Sequence, residues 1–199
     1  MKVVVIGGGA SGMAAAITAA RMGAGVVLFE REARVGRKLL ATGNGRCNYS
    51  NEKWDGTEYY SSAPSFVRTV LERVTPVETL EFFRELGIWP RVESEGRIYP
   101  SSEQAASVVD VLRMEMEHLK IEVICEHRIK GIIAAPEGRG FHLVSHQNKR
   151  LHCDKVIIAC GGMAGGQYGC CGDGYFLAEA LGHTYVDPQP ALVQLTSEA

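Results

Sequence analysis

Val3-Val4-Val5-Ile6-Gly7-Gly8-Gly9-Ala10-Ser11-Gly12 decides the fold. The apolar run 3–6 reads as a parallel strand buried on both faces, and the alanine-rich stretch 10–22 reads as a helix. Each glycine between and within them has its own mechanical job. Gly7 permits the tight turn, Gly9 lets the backbone approach a pyrophosphate, and Gly12 lets the helix pack on the strand. The helix start offers free N–H groups and the positive end of a dipole to phosphates. Residues 25–29 (GVVLF) read as the next strand, and Glu30 at its end can accept hydrogen bonds from ribose hydroxyls. Glu30 lies 18 residues beyond Gly12 (30 − 12), close to the spacing of about 20 in dinucleotide folds. Ala16, Gly23 and Val26 complete the pattern.

Composition narrows the class. The chain has 199 residues, 46% hydrophobic and 22% charged, values that describe an ordinary globular protein. A net charge of −2 gives no electrostatic reason to expect nucleic acid or an anionic membrane as partner. Arg37-Lys38 and Lys149-Arg150 are short basic pairs, not a stripe. No apolar run approaches the roughly 18 residues of a spanning helix. The glycines at 7, 8, 9 and 12 interrupt what could pass for a signal peptide, so a cytoplasmic location is expected. The six cysteines form no CxxC pair and no zinc-like spacing with histidine, and no metal site is expected.

Farther along, 34–51 reads as a long glycine-rich and basic loop, a length that in a compact domain is usually functional. Helices are expected over 64–74 and 76–86. The second has Thr75 as N-cap, Pro76 in the first turn, Glu78 completing a capping box, and Gly87 as stop. Residues 98–100 read as extended. Ser101 with Gln104 is expected to open a helix to about Leu119, with Ala105, Val108, Val109, Leu112 and Met116 on one face. A third parallel strand is expected over 121–125. Three antiparallel strands follow, over 128–134, 140–146 and 150–153, and then a buried strand over 155–159. Asp173 reads as the cap of a last helix ending at Gly182. Repeated parallel crossovers favour an α/β fold: a doubly wound, Rossmann-like parallel sheet with an antiparallel β-meander crossover, and ligand at the carboxyl ends of the strands.

Glu30 argues against NADP at this site, since a carboxylate repels a 2′-phosphate. The meander resembles that of the FAD domains of glutathione-reductase-like proteins. More specific is the loop Lys38-Leu39 with Thr42-Gly43-Asn44-Gly45-Arg46-Cys47-Asn48. It resembles the KLxxTGxGRCN signature of bacterial NAD(P)/FAD-dependent oxidoreductases, a family of BaiN-type bile-acid-pathway reductases and aminoacetone-oxidase-like flavoproteins. The likeness continues in Gly96 to Pro100, Val156 to Gly162, Gly172 to Tyr175, Gly182-His183 and Pro190 to Val193, so it covers the whole chain. Cys160 stands where that family carries threonine.

The resemblance implies FAD as cofactor and NAD(P)H as co-substrate. Gly7, Gly9, Ala10, Ser11 and Gly12 are then expected to cradle the pyrophosphate and Glu30 the adenosine ribose. Arg31 and Lys38 would lie near adenosine and phosphates, and Thr42, Gly43, Gly45, Arg46, Cys47 and Asn48 toward the flavin. Ile129 would pack against adenine, and Ala159, Cys160 and Gly161 would pass beneath the cofactor. Arg46 can also be read as tying its loop down, and Cys47 as small packing. The expected activity passes hydride from NAD(P)H through flavin to an unsaturated small molecule. A flavin-dependent amine oxidase and a nucleotide-binding module without turnover stay open, as does oligomeric state. The family also implies a domain over 1–188 lacking its C-terminal return segment, with a substrate domain starting at 189–199.

Overall fold

The computed structural model describes residues 1–53 and 59–191, with Glu137 described in its backbone only. In chain order the elements are β1 (Lys2–Ile6), α1 (Ala10–Arg21), β2 (Gly25–Phe29), β3 (Ser50–Asn51), α2 (Pro64–Arg73), α3 (Pro76–Glu85), β4 (Pro90–Val92), β5 (Arg97–Pro100), α4 (Ala105–His118), β6 (Glu122–Ile124), β7 (Ile129–Ala134), β8 (Phe141–Ser145), β9 (Arg150–Cys153), β10 (Lys155–Ile158) and α5 (Asp173–Glu179). They fall into two compact units, Met1–Lys38 with Leu119–Ala199, and Leu39–His118.

The first unit is built on a sheet of order β10-β1-β2-β6 in which every pair is parallel. Val3, Val4, Val5 and Ile6 are all buried, as a central strand covered on both faces requires. On one side α1 lies against β1, β2 and β10, with Met13, Ala16 and Ile17 buried at helical spacing. On the other side the antiparallel β7-β8-β9 meander and α5 share one core with the sheet: Val4, Ile6, Val27 and Phe29 meet Ile129, Ile132, Leu143, Cys153 and Leu177. The expected doubly wound sheet with a meander crossover is therefore the fold observed.

The second unit holds the antiparallel sheet β3-β5-β4 and three helices. The α3 capping box forms as expected, Glu78 N–H donating to Thr75 Oγ1 and Thr75 N–H to Glu78 Oε2. The buried face of α4 is the expected set Ala105, Val108, Val109, Leu112 and Met116.

Three local expectations need correction. Ser101 does not open α4: its hydroxyl donates to the Trp89 carbonyl, and Glu103 at φ 55° breaks the helical path, so the helix begins at Ala105. Asp173 is not the cap of α5 but its first residue. Gly172, at φ 80°, is the N-cap, and the Asp173 carboxylate is engaged by Arg128 instead. The stretch 34–51 is not loop throughout, since it contains 3₁₀ turns over Leu39–Gly45 and ends in β3. The expected second-domain start at 189–199 falls mostly on 192–199, outside the described residues. Among the described residues no helix is long and apolar enough to cross a membrane.

Leu143 is fully buried where meander meets sheet. Leu143→Ala is expected to lower unfolding stability by about 2–5 kcal/mol, read from the shift of a urea denaturation curve.

Candidate functional site

The turn after β1 is shaped by two backbone contacts that leave no room for a side chain. Gly7 sits at φ 107°, and a Cβ there would lie 2.4 Å from the Ala159 carbonyl oxygen of the turn after β10. A Cβ on Gly12 would lie 1.8 Å from the Gly7 carbonyl oxygen, so α1 is seated directly on the end of β1. Gly9, the N-cap of α1, is the opposite case. It offers no side-chain cap, and among the described residues no atom beyond its chain neighbours lies within 4 Å of where its Cβ would be. Ala10 and Ser11 beside it are exposed. The first helical N–H groups thus face open space that a Cβ on residue 9 would begin to fill. This is a fitting cradle for a pyrophosphate.

Glu30 is buried, and its carboxylate accepts from the Gly8 N–H at 2.6 Å and from the Glu32 N–H at 2.8 Å. A carboxylate has lone pairs beyond these two bonds, so it can still accept from a ribose. The chain after β6 runs alongside: the His127 N–H donates to the Glu30 carbonyl at 2.8 Å and the Glu126 N–H to that of Glu32 at 2.9 Å. That brings the start of β7, with Ile129, to the same edge. The Ile129 side chain is buried in the shared core, so what it offers toward a ligand is backbone. The Lys38 ammonium donates to the Ala164 carbonyl at 2.9 Å.

The Arg31 guanidinium lies 3.4 Å from Glu32 and 3.4 Å from Asp173, and touches the Cys171 sulfur. Arg128 grips Asp173 bidentately at 2.9 and 2.7 Å, and Arg37 pairs with Glu32. Burial raises the Asp173 carboxyl, but the bonds from Arg128 and Cys171 and the nearby guanidinium charges outweigh it, so it is held below the usual carboxylate range. Under the turn, the Ala159 N–H donates to the Ile6 carbonyl at 2.8 Å and the Cys160 thiol reaches the same oxygen at 3.5 Å. Burial, reinforced by the Asp173 and Glu30 charges, pushes that thiol up to about 12. Gly161 stands beside Cys170.

Gly7, Gly9, Ala10, Ser11, Gly12, Glu30, Arg31, Lys38, Ile129, Ala159, Cys160 and Gly161 therefore all belong to the first unit. Thr42, Gly43, Gly45, Arg46, Cys47 and Asn48 belong to the second. There the loop closes on itself. Thr42 Oγ1 donates to the Leu39 carbonyl, the Cys47 N–H to that of Thr42, and Gly43 packs on the Asn48 backbone. Arg46 pairs with Glu93 at 2.8 Å and stacks over the Tyr99 ring at 4.1 Å. Cys47 is buried, and burial raises its thiol. Sequence reasoning missed Val35-Gly36, which folds back so that the Gly36 N–H donates to the Gly8 carbonyl at 2.8 Å and Val35 packs over Gly8. It also missed Arg128. The lone apolar Val35 among polar neighbours was the available signal for the first, and nothing marked the second.

Residues 1–194 match the family model described as HI0933-like protein Rossmann domain. The chain is 43% identical over 196 residues to a 3-dehydro-bile acid delta(4,6)-reductase of Clostridium scindens, covering 98% of this chain and 47% of that protein. It is 30% identical over 193 residues to a ribosomal RNA dihydrouridine synthase of Escherichia coli, covering 97% and 47%. The chain thus spans about half the length of these curated relatives. Among solved structures, the 3-ketosteroid-delta4-(5alpha)-dehydrogenase of Rhodococcus jostii superposes with a TM-score of 0.59 at 18% identity, covering 81% of this chain and 46% of that one. At that identity the likeness is one of fold.

Three outcomes follow from the site geometry. Gly12→Ala is expected to cost about 3 kcal/mol or more in urea unfolding, because backbone cannot yield to the new methyl. Gly9→Ala, with open space above it, is expected to cost about 1 kcal/mol or less. In the folded protein near pH 8, iodoacetamide with peptide mass mapping is expected to label exposed Cys171 well before Cys160, whose thiolate is scarce.

Proposed function

The chain belongs to the HI0933-like Rossmann-domain family, and on that footing we propose that it is the FAD-holding part of a flavin-dependent reductase acting on a carbon–carbon double bond. The observation that carries this reading is the turn itself, with helix N–H groups opening onto free space at Gly9 while Gly7 and Gly12 are locked by backbone contacts.

In this reading the N–H groups of Ala10, Ser11 and Gly12 hold the pyrophosphate, and Glu30 accepts from the ribose hydroxyls while fixing Gly8. The 126–129 stretch presents backbone to the adenine, and Ala159, Cys160 and Gly161 form the floor. Arg31 flanks the adenosine, and Lys38 shapes the turn at Ala164. By the family resemblance Thr42, Gly43, Gly45, Arg46, Cys47 and Asn48 would serve the flavin, and within their own unit Glu93 and Tyr99 hold Arg46 in one orientation. Residues 1–188 act as one dinucleotide-binding domain, and 189–199 lead into a second. Taking hydride from NAD(P)H and delivering it to substrate is the chemistry a bound flavin supplies.

The names of both curated relatives describe adding hydrogen across a carbon–carbon double bond, which supports a reductase over an oxidase. A small unsaturated molecule is favoured over RNA as substrate. Identity is higher to the bile-acid reductase, and a net charge of −2 without a basic stripe suits a nucleic-acid groove poorly.

Titrating the protein with FAD and following flavin fluorescence tests the reading. The parent is expected to bind, and Gly9→Val to lose binding while its circular dichroism stays unchanged. Equal affinity in the two would end the pyrophosphate assignment. Anaerobic addition of NADPH or NADH to the FAD-loaded parent is then expected to bleach its visible absorption.

A further inference from the structure

We infer that Asp173 and Glu32 make the adenosine end of the site selective for a free 2′-hydroxyl by keeping Arg31 away from any 2′-phosphate. The inference rests on the adenine-dinucleotide reading above and adds its discriminating residues.

Two residue types at the end of the second strand read the adenosine ribose. An acid accepts from a 2′-hydroxyl, whereas a nearby arginine accommodates a 2′-phosphate. This chain has both, Glu30 followed at once by Arg31, so the sequence order alone is ambiguous. The side-chain geometry resolves it. Glu30 is buried and anchored by two backbone N–H groups, so its negative charge stays in place at the ribose edge. Arg31 is held from both sides, 3.4 Å from Glu32 and 3.4 Å from Asp173. Asp173 is itself fixed by the bidentate Arg128 bond, so it does not swing away with Arg31.

Charge counting gives the same result. Arg31, Arg37 and Arg128 pair with Glu32 and Asp173, and Glu30, held by backbone N–H groups, adds a third carboxylate to set against the three guanidinium groups. A 2′-phosphate would bring about two more negative charges into this balanced cluster. To be received it must take a guanidinium away from a carboxylate, leaving that carboxylate unpaired. A ribose hydroxyl asks for no such exchange. Removing the Asp173 charge leaves Arg31 and Arg128 as two neighbouring guanidinium groups, the kind of pair that grips phosphate.

The probes are ADP-ribose and 2′-phospho-ADP-ribose, which differ only in the phosphate, with affinities measured by calorimetry on the whole chain. The parent is expected to prefer ADP-ribose by about tenfold or more. Asp173→Asn is expected to shift the ratio toward the 2′-phosphate by about tenfold, and adding Arg31→Leu to return it to the parent value. Because Asp173 opens α5, Glu32→Gln serves as a second release of Arg31 and is expected to move the ratio in the same direction. An unchanged ratio in the folded variants, or a gain that survives the loss of Arg31, overturns the inference. Failure of the parent to bind ADP-ribose at all overturns the dinucleotide reading itself, a separate result.

Discussion

The architecture of the first unit hangs on a pair of backbone approaches around one turn. Residue 12 can come to 1.8 Å, measured from where a Cβ would be, of the Gly7 carbonyl oxygen, and residue 7 to 2.4 Å of the Ala159 carbonyl oxygen. Only glycine tolerates either. The first contact sets α1 on the tip of β1, and the second sets the turn after β10 on the other side of that tip. The helix N-terminus is thereby held at the carboxyl edge of the sheet, with open space around Gly9 among the described residues. Glu30 then fixes the remaining freedom by accepting from Gly8, one residue into the turn. The open placing of the α1 N-terminus is a consequence of packing, achieved without a single charged side chain in the turn.

Most of this was legible because it rests on short-range rules. Val3 to Ile6 could only be a doubly covered strand, the face Ala105, Val108, Val109, Leu112, Met116 repeats at helical period, and Thr75 with Glu78 spells its own cap. The misreadings share a different origin. Asp173 has the right chemistry for an N-cap, but Arg128, 45 residues earlier, offers two charge-assisted bonds and takes the carboxylate, while Gly172 adopts the cap geometry at φ 80°. Ser101 with Gln104 likewise satisfied a local pattern that the left-handed Glu103 interrupts. A carboxylate's choice between its own backbone and a distant guanidinium is decided by folding, and no local window contains both partners.

The loop 39–48 shows a second kind of illegibility. Its glycines and Arg46 read as a surface offered to a ligand, yet several of its groups are already engaged within the unit. Thr42 bonds Leu39, Gly43 abuts Asn48, and Arg46 lies between Glu93 and Tyr99. The two readings of Arg46, structural tie and functional cation, are compatible. An arginine with a fixed partner and a stacked face keeps one orientation, which a cation must do to act on a defined neighbour.

The same division of labour explains how relatives of differing substrate share this half. The chain is 43% identical to a bile-acid reductase and 30% identical to a ribosomal RNA enzyme, in each case over nearly all of this chain and about half of the relative. The glycines at 7, 9 and 12 carry no side group, so their turn offers only space and helix N–H groups, the features a diphosphate needs. Specificity of any finer kind requires side chains that meet something variable. In the first unit, arginines and acids of that kind gather around Asp173, beside the end of β2.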